Sequence, residues 1–100
     1  MNVVTTSDGS LRITGLDHLG AGNCAEFKEL VKPRLNGECR LVELDCSAIR
    51  FIDSDGMGTL VSLNKRLALQ DGKLRLSQLT PVVRQLLRLL HFDELFELTP

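Results

Sequence analysis

The chain lacks an apolar run long enough to span a membrane, a cysteine pair at metal-binding spacing, and an excess of charge of either sign. Each absence removes a class of function. A membrane span needs ~20 consecutive apolar residues, so no direct membrane insertion is expected. The first eight residues, Met1 to Asp8, show no basic region leading into an apolar stretch, which predicts no signal peptide and a soluble, cytoplasmic protein. The 12 basic side chains are scattered and balanced by 13 acidic ones, for a net charge of −1. A nucleic-acid surface needs clustered positive charge, so no nucleic-acid partner is expected. Cys24, Cys39 and Cys46 are odd in number and have no CxxC spacing, which sets aside a disulfide framework and a zinc ribbon. Reduced thiols packing as small hydrophobes are the natural reading. His18 and His91 have no partner set at ligand spacing, so neither a metal nor a cofactor is expected.

What is present suits one domain spanning residues 1–100. With 43% hydrophobic residues the chain can fill one core and has no room for a second. Val3 to Thr6 and Leu11 to Thr14 are β-rich runs around Asp8-Gly9, a hairpin signal because it accepts positive φ. Gly15 to Gly22 reads as a loop. From Asn23, a plausible cap, Phe27, Leu30, Val31 and Leu35 fall at helical spacing, until Pro33 disturbs the last turn and Asn36-Gly37 stops it. Arg40 to Cys46 reads as an inner strand covered on both faces. A second helix has Met57, Leu60, Val61, Asn64, Leu67 and Ala68 on its apolar side, ending at Asp71-Gly72. Lys73 to Leu76 alternates as a strand. Thr80-Pro81 opens a third helix whose stripe is Val82, Val83, Leu86, Leu87, Leu89 and Leu90, a core face first and a docking surface wherever it is exposed. Phe92 to Leu95 suggests a helical turn and Phe96 to Leu98 a last edge strand. Strands alternating with helices predict an α/β fold with a small mixed, partly parallel β-sheet of about five strands packed against three to four helices.

The stretch Ile52-Asp53-Ser54-Asp55-Gly56-Met57-Gly58-Thr59-Leu60 places a hydroxyl between two carboxylates where an apolar run meets a helix start. Unpaired N–H groups and the positive end of the macrodipole suit a phosphate-related role there. One reading is a phosphatase with Asp53 as nucleophile, Asp55 as acid/base and Mg²⁺, but Met57 stands where that motif expects threonine and its later lysine and aspartate motifs are missing. A calcium loop fails on spacing, since Gly56 comes too early and the final position falls on Asn64. In purely structural terms Asp53 or Ser54 caps the helix and Asp55 is a first-turn acid favoured by the dipole. Asp45 closes a strand end and Asp17 a turn.

The run Leu44-Asp45-Cys46-Ser47-Ala48-Ile49-Arg50-Phe51-Ile52-Asp53-Ser54-Asp55-Gly56-Met57-Gly58 resembles the signature of STAS domains, found in sulfate transporters and anti-sigma factor antagonists. Thr14-Gly15-Leu16-Asp17, Gly72 and Thr80-Pro81-Val82-Val83-Arg84 extend the resemblance over nearly the whole chain. It implies a non-enzymatic signalling domain, with no catalytic residue, acting as an anti-sigma factor antagonist. Ser54 takes the position of the family's phosphoacceptor, and the partners implied are an anti-sigma factor with serine kinase activity and a serine phosphatase. The implied partner surface comprises Asp17, Asp53, Ser54, Asp55, Gly56, Met57 and Gly58, with the two glycines leaving room for close approach. The chain departs from the pattern at Asp55, where the family has serine or threonine, and in the loop Gly15 to Asn23, which lacks the family's glutamate. An alternative role within the same resemblance is a stand-alone STAS subunit of a transporter or scaffold assembly, beside a membrane permease and without a phosphoswitch.

Overall fold

The computed structural model describes all residues 1–100. Strand β1 (Asn2–Thr5) turns at Asp8-Gly9 and pairs antiparallel with β2 (Leu11–Thr14), with Val3 opposite Ile13. Gly9 has φ +86°, which an Asp-Gly turn supplies without strain. Three crossovers then add parallel strands. Helix α1 (Cys24–Val31) and a 3-10 turn (Lys32–Arg34) lead to β4 (Leu41–Asp45). Helix α2 (Ser54–Ala68) leads to β6 (Lys73–Ser77), and α3 (Pro81–Leu89) to β7 (Glu97–Thr99). The five-stranded sheet has the order β1-β2-β4-β6-β7. It is mixed, with one antiparallel edge strand, and the α/β architecture matches the expectation.

The core lies between one sheet face and the helices. Leu11, Ile13, Val42, Leu44, Leu74 and Leu76 point into it from the strands, and Phe27, Val31, Leu60, Leu63, Leu67, Val83 and Leu87 from the helices. β4 is not covered on both faces as predicted: it alternates buried Val42 and Leu44 with half-buried Leu41, Glu43 and Asp45. Its second face carries charge. Arg12, Glu43, Arg75 and Glu97 stand at one level across four strands in register. Arg12 pairs with Glu43, Arg75 Nη1 lies 3.6 Å from Glu43, and Arg75 Nε donates to Glu97 at 2.7 Å. Alternating signs at one level make a solvent-facing ladder that favours this register over a slipped one.

Tertiary packing overrides the local pattern at several points. The predicted loop Gly15 to Gly22 contains a two-residue strand, β3 (His18–Leu19), paired parallel with β5 (Phe51–Ile52). Helix α1 ends before Pro33, leaving Leu35 outside it and Leu30 at the surface. On α2, Leu63 is buried and Ala68 exposed, which shifts the apolar face from the one expected. Phe92 to Leu95 make the expected single turn, the Leu95 N–H donating to the Phe92 carbonyl at 3.1 Å, while β7 starts one residue later than predicted. No helix is long and apolar enough to cross a membrane.

Candidate functional site

The first half of the motif is structural. Asp45 accepts the Ser47 N–H at 2.9 Å, turning the chain as β4 ends, and fully buried Ile49 anchors the connection to β5. Beside β5 the chain runs parallel to β3, so Leu19 lies next to Ile52 and Gly20 next to Asp53. That adjacency shapes the site.

Asp53 is the N-cap of α2, in extended backbone with φ −89° and ψ −175°. Its two carboxylate oxygens do different jobs. Oδ1 accepts the Gly56 N–H at 2.9 Å, filling the helix start, and Oδ2 accepts the Ala21 N–H at 2.9 Å from the loop after β3. The Asp53 N–H donates to the Leu19 carbonyl at 3.2 Å. Asp53 therefore stitches α2 to the β3–α1 loop. The N–H of Gly56, followed by that of Ala21, holds its carboxyl below the usual carboxylate value of 3.8.

Two glycines make this approach possible. A Cβ on Gly20 would lie 2.3 Å from Asp53 Oδ2, and one on Gly56 would lie 2.0 Å from the Leu19 carbonyl oxygen. The glycine required at position 56 thus serves internal packing, while Gly58, with nothing within 4 Å of its missing Cβ, leaves open surface.

Ser54 is the first residue of α2 and exposed, and its hydroxyl makes no hydrogen bond within the protein. Asp55 follows, also exposed, with its carbonyl accepting the Thr59 hydroxyl at 2.8 Å. Met57 is 5% exposed and belongs to the core, so it holds the helix start in place from beneath. Asp17 lies at the surface on the other side of the β3–β5 pair, its carboxylate bonded to His18 Nδ1 at 2.7 Å and held low by that bond. The His18 ring stacks on Phe51, centroids 5.3 Å apart and planes 20° apart. Of the seven residues named from the sequence, Asp17, Ser54, Asp55 and Gly58 are exposed, Asp53 is half-buried, and Gly56 and Met57 are buried.

Sequence reasoning missed Gly20, Ala21 and the His18–Phe51 stack. A glycine in a glycine-rich loop carries no local sign that a carboxylate will sit against it. The side chain of Asn23, expected to cap α1, makes no capping bond and turns back into the loop. Oδ1 accepts the Gly20 N–H and Nδ2 donates to the His18 carbonyl, both at 2.9 Å. No group of three or more His, Cys, Asp or Glu side chains converges as a metal site. With both Asp53 oxygens engaged by backbone N–H groups, the free hydroxyl at this surface is that of Ser54, with the exposed Asp55 carboxylate beside it.

The family model of the STAS domain matches residues 3–100. Among solved structures, a Thermotoga maritima protein provisionally assigned as an anti-sigma factor antagonist superposes with a TM-score of 0.86 at 19% identity, covering 99% of this chain and 85% of that one. A STAS protein from Planctomyces limnophilus gives 0.77 at 17% identity over 97% and 88%. The Bacillus cell fate determinant SpoIIAA in its phosphorylated form gives 0.71 at 14% identity over 99% and 90%, and this antagonist has also been solved unphosphorylated. The chain belongs to the STAS domain family, and its fold is that of anti-sigma factor antagonists.

Proposed function

We propose that the protein is an anti-sigma factor antagonist that binds an anti-sigma factor with serine kinase activity and is switched by phosphorylation of Ser54. The observation that carries this reading is the exposed, unpaired Ser54 hydroxyl on a helix start whose neighbouring carboxylate is already committed to backbone. In the transfer, Ser54 Oγ bonds to the γ-phosphorus of ATP, the bond to ADP breaks and the hydroxyl proton leaves. The product adds about −1.5 to −2 charges between Asp53 and Asp55. Asp53 already occupies the Gly56 N–H, so the phosphate is left to project from the surface. An interface closing over Asp17, Ser54 and Gly58 would then have to bury that charge, and it opens. A serine phosphatase resets the surface. That the same fold has been solved in phosphorylated and unphosphorylated forms for a Bacillus antagonist supports the reading.

Asp55 keeps a permanent negative charge beside the acceptor, so the kinase that serves this chain has to accommodate an acid immediately after the serine. Incubation with the kinase encoded nearest to this protein and ATP, followed by peptide mass spectrometry, tests the assignment. The expected result is one phosphate on Ser54, absent from Ser54→Ala. Phosphate elsewhere, or none, contradicts it. In the latter case co-purification with a membrane permease would favour the stand-alone transporter or scaffold subunit.

A further inference from the structure

Helices α1 and α2 are successive crossovers between parallel strands, so they run the same way side by side and leave a pocket of about 260 Å³ along their seam. Its floor is apolar. Phe27, Val31 and Leu35 come from the first crossover and Leu63 from α2, each no more than 8% exposed. Its rim is basic, with exposed Lys28 and Lys32 along one side and exposed Arg66 along the other, and the Ser62 hydroxyl one turn before Arg66. Lining positions 28, 31, 32 and 35, like 59, 62, 63 and 66, repeat at three and four residues. That is the spacing of one helix face, so the cations share their faces with the apolar floor. Four residues past Arg66, Gln70 donates to the Asn36 and Cys39 carbonyls, both at 2.7 Å, and closes that end of the seam.

Charge decides what the pocket can hold. None of its nine lining residues is a carboxylate, and Lys28, Lys32 and Arg66 take part in no ion pair. The acids of α1 turn away, since a helix advances by about 100° per residue and carries Glu26 and Glu29 round from the side that holds Phe27, Lys28 and Val31. On α2 the acid nearest along the stripe is Asp55, one turn before Thr59 and roughly 16 Å along the axis from Arg66. A bare inorganic anion would leave the apolar floor uncovered. An uncharged apolar molecule would leave the cations without a partner. The pocket has room for eight or nine groups at the ~30 Å³ that a water-sized group fills in a liquid.

We propose that the α1–α2 pocket binds a single-chain organic anion, a carboxylate or phosphate on an apolar tail of about eight heavy atoms. The tail lies along Phe27, Val31 and Leu63, and the head meets Arg66, Lys32 and the Ser62 hydroxyl at the rim. An apolar pocket with a few convergent polar groups has the anatomy of a small-molecule site, and a charge-assisted bond to arginine fixes the head. The pocket does not use the Ser54 hydroxyl, so it stands or falls independently of the phosphoswitch.

Octanoate, octylammonium and acetate test this, each titrated below its micelle-forming concentration into the isotope-labelled full chain and followed by amide chemical shifts. Octanoate is expected to bind saturably with a Kd of about 1 mM or tighter, moving the amides of Lys28 to Leu35 and Thr59 to Arg66. The other two are expected not to. The double variant Lys32→Gln, Arg66→Gln should weaken octanoate by at least about tenfold, and Ser62→Phe should abolish binding by filling the pocket from an exposed position. Lys65→Gln, exposed and off the stripe, should change nothing. All these positions face solvent, so the variants should keep the wild-type spectrum elsewhere. Octylammonium or acetate binding as well as octanoate, an equal loss from Lys65→Gln, shifts confined to other surfaces, or no saturable binding overturns the proposal. So does cosedimentation with phosphatidylglycerol vesicles without octanoate binding, which would make the basic rim a membrane contact.

Discussion

Replacing Gly56 by alanine probes how the site is built. The added Cβ would lie 2.0 Å from the Leu19 carbonyl oxygen, 2.6 Å from its carbon and 3.0 Å from Ile52 Cγ2, where ordinary contact begins at 3.4 Å. The obstacle is backbone, so no rotamer change relieves it. The start of α2 has to move off β3 by roughly 1 Å or more in a closely packed interior. Overpacking of this kind costs about 1–3 kcal/mol, and parting the Asp53 N–H from the Leu19 carbonyl adds about 0.5–1.5 kcal/mol. Alanine's better helix propensity offsets up to about 1 kcal/mol. The net expectation for Gly56→Ala is a loss of about 0.5–4.5 kcal/mol centred near 2.5, which at the centre lowers the melting temperature by roughly 10–20 °C in a domain of this size. Gly58→Ala is the internal control. Nothing lies within 4 Å of that Cβ, so the variant should match or slightly exceed the wild type. Thermal melts by circular dichroism, with urea midpoints as a second measure, read both. A Gly56→Ala protein melting within about 2 °C of wild type, or a Gly58→Ala protein falling equally far, refutes the reasoning.

Two further outcomes follow from the same geometry. The Asp53 carboxyl is held below its usual 3.8 by the N–H groups of Gly56 and Ala21. Its ionised form therefore stabilises the fold fully above that value, and the contribution is lost as pH falls below it. The melting-temperature gap between wild type and Asp53→Asn should be widest near neutrality and narrow below 3.8; a gap that stays constant across the range removes the role assigned to the charge. Cys39 and Cys46 are buried, and burial pushes the Cys46 thiol up to about 12, whereas Cys24 is partly exposed at the start of α1. Iodoacetamide at mildly alkaline pH should label Cys24 first in the native protein, as read by peptide mass spectrometry. Labelling of Cys46 at a similar rate would contradict its burial.

The elements legible in the sequence are those with local causes. Asp8-Gly9 turns the hairpin because a glycine there takes positive φ, and Thr80-Pro81 starts α3 with the Thr80 hydroxyl accepting the Val83 N–H at 3.4 Å. The β3–β5 pair was not legible, since two-residue strands are held by partners more than thirty residues away and have no period of their own. The charge ladder depends on register: Arg12, Glu43, Arg75 and Glu97 meet only once four strands are aligned, whereas hydropathy alone predicts a β4 covered on both faces. Leucines along α3 look alike in sequence, yet Leu87 is fully buried and Leu89 is 70% exposed. At the candidate site, the motif identified the helix start and its serine. It did not reveal that Asp53 faces inward and across to Ala21, because Gly20 is brought to it by the fold.

The central claim, that phosphate on Ser54 governs binding to an anti-sigma factor kinase, is tested most directly by calorimetry with that partner. Wild type, Ser54→Ala and wild type stoichiometrically phosphorylated on Ser54 are each titrated into the nucleotide-loaded kinase. The account predicts that wild type and Ser54→Ala bind alike, and that the phosphorylated protein binds at least about tenfold more weakly, a difference of about 1.4 kcal/mol. Equal affinity of the phosphorylated and unphosphorylated proteins would contradict it.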